Sequence, residues 1–346
     1  MIPVTTPATG AVTRSAPVLS VEGLTVDFAT DRGWVNIVDG VDLALTRGTA
    51  LGLVGESGSG KSVTSLAIMG LLPAGAGRVR DGSIRLGDVE LTSRTERQLQ
   101  DVRGNEIAMI FQEPATSLNP AFRVGEQIAE MVRRHRGATR KQARARAIEV
   151  LGEVGIPNPA RRVDAYPHEF SGGMRQRVMI AMAISCEPRV LIADEPTTAL
   201  DVTIQAQVLA LLDRLRREHH MALLLITHDL GVVAQVCDEA TVMYSGQIVE
   251  RGPVRELFRR PLHPYAEGLL VSMPQLAPRS HGRLASIPGA PPIPWRLPTG
   301  CRFHPRCPYA VDACRETAPE LAPAGEARAV RCLRSDELRL HGGTSS

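Results

Sequence analysis

The glycine-rich stretch GESGSGKS, from Gly55 to Ser62, is the first part of the sequence with a clear chemical use. It fits the phosphate-binding pattern G-x-x-x-x-G-K-[ST], in which backbone N–H groups and the N-terminus of the next helix surround the phosphates. Lys61 is expected to reach the β- and γ-phosphates, and the Ser62 hydroxyl to bind Mg²⁺. The predicted nucleotide-binding residues of this loop are Gly55, Glu56, Ser57, Gly58, Ser59, Gly60, Lys61, Ser62 and Val63. By itself, the loop predicts a nucleoside triphosphatase or a kinase.

Two adjacent carboxylates follow the phosphate loop by about 130 residues, at the end of the apolar stretch VLIADEP (190–196). A strand of this kind would deliver Asp194 to the Mg²⁺ ion. Glu195 would then lie where it can polarise the water molecule that attacks the γ-phosphate. The loop and the strand together predict a site for ATP and Mg²⁺.

A third motif, FSGGMRQR (170–177), lies between these two. Ser171, Gly172 and Gly173 open a predicted helix, and the N-terminus of a helix is an anion-binding site. A single chain has no use for two phosphate-binding helix ends on one nucleotide.

The elements predicted around these motifs indicate an α/β fold. Residues 18–110 are rich in strand patterns, and the phosphate loop lies between a buried strand and a helix. Residues 112–166 have helical periodicity, and residues 170–252 alternate helices and strands. Such alternation predicts a mostly parallel sheet with the helical stretch inserted into it. Beyond Pro261 proline becomes dense, so little regular structure is expected there.

Composition limits the classes of partner and the location. The chain has 346 residues and a formal net charge of +3, which is too small to imply binding to nucleic acid. No apolar run approaches the roughly 18 to 20 residues of a membrane helix. Residues 1–18 lack the apolar core of a signal peptide and are expected to form a flexible leader. We therefore expect a cytosolic protein whose membrane role, if it has one, comes through partners.

The phosphate loop and the SGG motif together resemble the ABC ATPase family, over about residues 19–252. The resemblance implies a P-loop, RecA-like core with an antiparallel β subdomain and an inserted helical subdomain at about 112–168, within an ATPase domain over 19–260. It also implies pairing, in which the SGG motif of one subunit covers the nucleotide held by the phosphate loop of the other. The SGG motif and Glu195 argue against a kinase.

The resemblance assigns roles to further residues of this chain. Gln112 matches the glutamine that contacts Mg²⁺ and the attacking water and relays to the transmembrane partner. Asp201 matches the aspartate that crosses the dimer interface, and His228 the histidine that contacts the γ-phosphate. Phe28 aligns best with the aromatic residue that stacks on adenine, and Trp34 is its rival.

Two segments narrow the resemblance to the D-type ATPase subunits of oligopeptide and dipeptide importers: QEPATSLNP (112–120) and PLHPYAEGLL (261–270). In the second, His263, Pro264 and Tyr265 are expected to terminate a helix and cap a surface, without a catalytic role. A non-transport ABC ATPase would need a long coiled-coil insertion or two cassettes, and neither is present.

This narrower resemblance implies an importer at the cytoplasmic face of the cell membrane. Its other parts would be two transmembrane permeases, an extracytoplasmic solute-binding protein and a second ATPase subunit, which makes a heterodimer. Peptides are the favoured cargo. Nickel chelates and other small solutes are the alternatives.

The C-terminal region, over 261–346, contains Cys301, Cys307, Cys314 and Cys332 in the spacing C-x5-C-x6-C-x17-C. This spacing matches neither ferredoxin-type clusters nor common zinc sites, so it leaves iron–sulfur, zinc and unligated or disulfide-bonded cysteines open. The resemblance to peptide-importer ATPases favours a [4Fe–4S] cluster. Because these cysteines are remote in sequence from the ATP-binding motifs, the expected role is structural or redox-sensing.

Overall fold

The computed structural model of the chain describes residues 16–112, 117–198, 200–273, 287–325 and 327–342. The leader predicted over 1–18 therefore lies almost entirely outside the described residues, and so do residues 113–116 of the QEPATSLNP segment. Within the described ranges, no helix combines the length and the apolar character needed to cross a membrane.

The elements alternate along the chain much as the patterns predict. The strands are β1 (Leu19–Thr30), β2 (Gly33–Leu45), β3 (Ala50–Val54), β4 (Gly77–Leu86), β5 (Val89–Glu90), β6 (Ile107–Ile110), β7 (Val190–Asp194), β8 (Ala222–Thr227), β9 (Glu239–Tyr244), β10 (Gln247–Pro253), β11 (Ala322–Pro323) and β12 (Ala329–Val330). The α-helices are α1 (Lys61–Ile68), α2 (Glu96–Val102), α3 (Val124–Arg136), α4 (Arg140–Glu153), α5 (Pro159–Arg162), α6 (Gly172–Ile184), α7 (Val202–Glu218), α8 (Leu230–Val236), α9 (Val254–Arg259), α10 (Pro264–Val271) and α11 (Asp312–Glu316).

The strands form two sheets. The smaller one is antiparallel, in the order β2-β1-β4-β5. The larger one has the order β11-β12-β10-β9-β3-β8-β7-β6, and β9, β3, β8, β7 and β6 run parallel to one another. The resemblance predicted this combination of a mostly parallel core and an antiparallel sheet, and the structure confirms it.

The parallel strands are buried on both faces, which explains why they read as continuous apolar runs. Along β7, Leu191 and Ala193 face one hydrophobic cluster, whereas Val190 and Ile192 face another. The carboxyl ends of β3, β7 and β8 meet at one edge of the sheet. The phosphate loop follows β3 there, Glu195 follows β7 and His228 follows β8, so the topology gathers the predicted catalytic groups.

Helices α3, α4 and α5 lie between β6 and α6, which places a helical segment inside the sheet topology. Helix α4 begins at Thr139, whose hydroxyl accepts from the backbone N–H of Gln142, while the Gln142 side chain accepts from the Thr139 backbone N–H. Val150 and Leu151 on α4 join a core that also includes Val178 and Ile180 on α6. The inserted segment therefore packs on the helix that carries the SGG motif.

The C-terminal region is mostly irregular, as its proline content predicts, but it is built into the larger sheet. Strand β12 pairs with β10, with Ala329 opposite Arg251. The prediction for the His263–Tyr265 segment is wrong in two respects. His263 begins helix α10 instead of ending a helix, because its Nδ1 accepts a hydrogen bond from the Tyr265 backbone N–H. Both side chains are buried, so they do not cap a surface.

Candidate active site

The phosphate loop turns tightly between β3 and α1. Gly60 has φ of +107°, a conformation that residues with a Cβ rarely adopt. A Cβ on Gly55 would collide with the backbone carbonyl oxygen of Met243 on β9. The glycines of the motif are therefore required by the backbone path of the loop and by its close approach to the neighbouring strand.

Lys61, the first residue of α1, lies folded back against the loop. Its Nζ donates to the carbonyl oxygens of Gly55 at 2.7 Å and Glu56 at 2.9 Å. Burial lowers the pKa of Lys61, and the nearby carboxylates of Glu195 and Asp194 act in the opposite direction. The ammonium group is thus held inside the loop, beside the place where the motif binds phosphates.

An oxygen-rich position that suits Mg²⁺ lies next to the loop. The Ser62 hydroxyl donates to Asp194 Oδ1 at 3.2 Å, and the Ser65 hydroxyl lies 3.5 Å from Asp194 Oδ2. Burial raises the pKa of Asp194, and the Ser62 hydrogen bond opposes this shift. A hydroxyl and a carboxylate are ligands that Mg²⁺ accepts, so the donor set fits the predicted ion.

Glu195 is the point at which the other predicted catalytic residues meet. Its Oε1 lies 3.1 Å from His228 Nδ1, and its Oε2 accepts from the Thr198 hydroxyl at 2.8 Å and from Gln112 Nε2 at 3.4 Å. Its backbone has φ of +46°, which is uncommon for a residue with a side chain and often marks a functional site.

The same contacts set the charge of Glu195. Burial opposes its ionisation, but the hydrogen bonds from His228 and Thr198 outweigh burial and keep its pKa below the ordinary value for glutamate. A cavity of about 280 Å³ lies beside Glu195 and His228. The arrangement can therefore polarise a water molecule with an ionised carboxylate.

Comparison with known proteins decides the family. Residues 38–198 match the family model described as "ABC transporter", and residues 249–314 match "Oligopeptide/dipeptide transporter, C-terminal region". The chain is 52% identical over 319 residues to the oligopeptide transport ATP-binding protein AppD of Bacillus subtilis, an alignment that covers 92% of this chain and 97% of that protein. This chain belongs to the ABC transporter ATPases.

Solved structures agree with this assignment. A dimeric bacterial ABC transporter cassette matches with a TM-score of 0.61 and 25% identity, over 68% of this chain and 99% of the cassette. The same cassette has been solved as a dimer in a post-hydrolysis state with ADP and Pi, with the same TM-score of 0.61. The chain is accordingly an ATP hydrolase with the ABC fold.

The SGG motif of this ABC ATPase forms the start of α6, as predicted. The Ser171 hydroxyl accepts from the Met174 backbone N–H at 3.4 Å and so caps the helix. Among the described residues, Ser171, Gly172 and Gly173 make no hydrogen bond to the phosphate loop. The space beside Gly173 is occupied by Ile204 on α7. Within the part of the chain that the structure describes, the SGG motif thus adds no hydrogen bond to the chain's own nucleotide loop.

Asp201, the predicted interface residue, caps α7 through a hydrogen bond from the Ile204 backbone N–H to Oδ1 at 2.9 Å. The next residue, Val202, exposes 82% of its surface.

The two aromatic candidates for stacking on adenine lie on the smaller sheet. Phe28 is half-buried and packs against the core of that sheet, opposite Val35 and Gly77 on the neighbouring strands. Trp34 is more exposed, and the Arg78 guanidinium lies 4.0 Å from its ring centroid. The assignment of Phe28 stays a prediction.

Sequence reasoning missed three residues that touch the site. Thr198 hydrogen-bonds Glu195, as described above. The Tyr265 hydroxyl accepts from the Glu56 backbone N–H, and Arg306 forms an ion pair with the Glu56 side chain. Tyr265 lies in the segment PLHPYAEGLL (261–270), here called the HPY segment, which the sequence analysis singled out. Neither Tyr265 nor Arg306, however, carries a local pattern that points to the phosphate loop.

The four C-terminal cysteines line one small cavity of about 20 Å³, together with Phe303 and His263. They are free thiols, without disulfides. Burial raises the pKa of Cys307 and of Cys332 to about 11. Across the described residues, no three or more His, Cys, Asp or Glu side chains are grouped so as to hold a metal ion.

Proposed function

We propose that this chain is the ATP-hydrolysing subunit of an importer for dipeptides or oligopeptides. The match of residues 249–314 to the C-terminal region of oligopeptide and dipeptide transporters carries this proposal. The Bacillus subtilis relative, an oligopeptide transport ATP-binding protein, supports it. The alternative is the same role with another cargo, such as a nickel chelate, because nothing in this subunit is known to touch the cargo.

The geometry of the site supports the catalytic roles that we propose. The phosphate loop from Gly55 to Val63 binds the phosphates, and Lys61 leaves the loop carbonyls to contact them. Glu195 polarises the attacking water and accepts its proton as a general base. His228 orients Glu195 and the γ-phosphate. When bound by Ser62, Gln112 and Asp194, Mg²⁺ would neutralise charge on the phosphates.

The second half of each site comes from another ATPase subunit. Among the described residues, the SGG motif at the start of α6 makes no hydrogen bond to the phosphate loop of its own chain, and helix N-termini bind anions. We propose that Ser171, Gly172 and Gly173 cover the nucleotide of the partner subunit, with Asp201 at the interface. The partner is a different ATPase, which makes a heterodimer.

The complex would also contain two permeases and an extracytoplasmic solute-binding protein, with this subunit at the cytoplasmic face of the membrane. An apolar cavity of about 260 Å³ supports a permease contact close to Gln112. Phe111, Met109, Met131, Met179 and Met182 line it. Flexible methionine side chains adapt to the apolar surface of a partner helix. Such a contact would transmit permease movement to the catalytic glutamine.

We also propose the division into a leader (1–18), an ATPase domain (19–260) with a helical subdomain at about 112–168, and a C-terminal region (261–346). The C-terminal region would hold a [4Fe–4S] cluster. Four thiols around one cavity are the ligand number for such a cluster. Among the described residues no three such side chains are grouped so as to hold a metal ion. The proposal therefore rests on the number of cysteines and on the resemblance to peptide-importer ATPases.

The cluster is tested on protein purified without oxygen. Iron, acid-labile sulfide, zinc and visible absorbance are measured for the native chain and for Cys301→Ser. About four irons and four sulfides per native chain, lost in the variant, would support the proposal. A colourless chain with one zinc and no sulfide would overturn it.

The cargo is tested in cells that lack this subunit and require one amino acid. Growth on a dipeptide that contains this amino acid should fail in the deletion strain and return with the native chain. Growth on the free amino acid is the control. Unimpaired growth on the dipeptide, together with impaired nickel-dependent growth, would point to the alternative cargo.

A further inference from the structure

The phosphate loop is held from outside by the C-terminal region. Glu56, the second residue of the loop, is the point of attachment. Its backbone N–H donates to the Tyr265 hydroxyl at 2.7 Å. Both of its carboxylate oxygens accept from Arg306, with Nη1–Oε2 at 2.6 Å and Nη2–Oε1 at 3.0 Å. One loop residue therefore has its backbone and its side chain fixed by residues more than 200 positions away.

These contacts are shielded from water. The Arg306 side chain is 4% exposed and that of Glu56 is 28% exposed, and Tyr265 is fully buried. A paired, two-bond arginine–carboxylate contact fixes geometry as well as charge. Loss of one partner would leave a buried charge without compensation, so such a pair resists separation.

The two residues that hold Glu56 are themselves fixed in position. The rings of Tyr244, Tyr265 and Phe303 pack together, with centroids 4.6 to 5.4 Å apart. Arg306 Nε donates to the carbonyl oxygen of Pro288 at 2.9 Å. Edge and tilted packing of buried rings leaves little freedom to move, so the support under the loop is rigid.

Lys61 completes the contacts of the same residue, because its Nζ donates to the Glu56 carbonyl oxygen at 2.9 Å. Lys61 must turn from the loop to the phosphates when ATP binds. The loop then loses the hydrogen bonds that the lysine makes, whereas the contacts of Tyr265 and Arg306 remain. These two residues can keep the loop in its binding shape throughout the cycle.

We propose that Arg306 and Tyr265 are positioning residues for the phosphate loop, through which the C-terminal region sets the ATP affinity of this subunit. A preformed loop binds more tightly because the cost of ordering it is already met on folding. The proposal gives the HPY segment a role in nucleotide binding, through the Tyr265 hydroxyl. Arg306 directly precedes Cys307, so this residue also connects the loop to the cysteine cavity.

The test measures the Kd of a fluorescent ATP analogue with Mg²⁺ for the full chain, and kcat and KM in the assembled complex. Arg306→Gln should raise Kd and KM by about tenfold, the loss expected for one charge-assisted hydrogen bond, with kcat changed less than about twofold. Arg306→Lys keeps the charge and should recover part of the affinity. Tyr265→Phe removes the hydroxyl acceptor alone and should raise Kd by a smaller factor.

Arg328→Gln is the matched control. Arg328 forms another largely buried pair, with Glu250, with Nη2–Oε1 at 2.6 Å, at the junction of the C-terminal region and β10. The Arg328→Gln substitution should lower the melting temperature without changing the Kd for the ATP analogue. If Arg306→Gln does not fold, Tyr265→Phe still decides. If variants of Arg306 or Tyr265 had a lower melting temperature but the same Kd for the analogue as the native chain, the proposal would be overturned.

The pair itself is tested by a double-mutant cycle. Glu56→Gln and Arg306→Gln should each weaken binding of the ATP analogue, and the double variant should be no weaker than the worse single one. If the double variant instead raised Kd by the product of the two single factors, Arg306 would not act through Glu56. That result would contradict the proposal.

Discussion

Replacement of Glu195 by glutamine removes the carboxylate on which hydrolysis depends and leaves an amide side chain of nearly the same size and shape. The carboxylate is held by His228, Thr198 and Gln112 at 3.1, 2.8 and 3.4 Å. The amide fits the same space but cannot take a proton from water. A positioned general base contributes about 100- to 10,000-fold, or about 3 to 5 kcal/mol of activation free energy. Turnover of Glu195→Gln should fall by that factor.

ATP binding should survive this substitution, because the phosphate loop and Lys61 are unchanged, and the closed ATPase dimer should accumulate. The assay is phosphate release from MgATP by the assembled complex, with binding of the ATP analogue measured in parallel. Glu218→Gln, which changes an exposed carboxylate on α7, is the control. Turnover of Glu195→Gln within about twofold of the native complex would refute the assignment of Glu195.

Three further perturbations test the remaining parts of the site. The pKa of Glu195 lies below its ordinary value, and hydrolysis needs the ionised form, so activity should be lost only as pH falls through that lowered pKa. Thr198→Val removes a hydrogen bond that lowers this pKa, so the acid limb of the plot of kcat against pH should move to higher pH. An unchanged acid limb would argue that Thr198 does not lower the pKa of Glu195. Ser171→Arg should abolish hydrolysis at the partner subunit's nucleotide while the ATP affinity of this chain's own loop stays within about twofold, and loss of that affinity would contradict the shared site. Phe28→Ala should raise the KM for ATP by about tenfold, the loss of one aromatic stacking contact; the same effect from Trp34→Ala instead would transfer the stacking role.

The catalytic centre could be predicted because its parts are local patterns attached to strands of one sheet. The phosphate loop, the Asp194–Glu195 pair and His228 each follow a buried apolar strand, and parallel strands bring their carboxyl ends together. The position of the phosphate loop and of the carboxylate pair after strands, together with the family resemblance that assigned His228, was therefore enough to predict that these residues meet. Thr198 was missed because a hydroxyl three residues after Glu195 has no pattern of its own.

The C-terminal region could not be predicted in the same way. Its strands β11 and β12 have two residues each, too few for a periodic pattern. Tyr265 and Arg306 contact Glu56 across 209 and 250 residues of chain, and no local spacing encodes such a contact. The cysteines, remote in sequence from the ATP-binding motifs, thus belong to a segment that touches the phosphate loop.

We propose that hydrolysis by this subunit drives peptide import. The most direct measurement is MgATP hydrolysis by the complex in proteoliposomes, with its solute-binding protein added in excess. A dipeptide should stimulate hydrolysis in the native complex and not in the Glu195→Gln complex, and a nickel chelate should have no effect. If the nickel chelate stimulated hydrolysis and the dipeptide did not, peptides would not be the cargo of this importer.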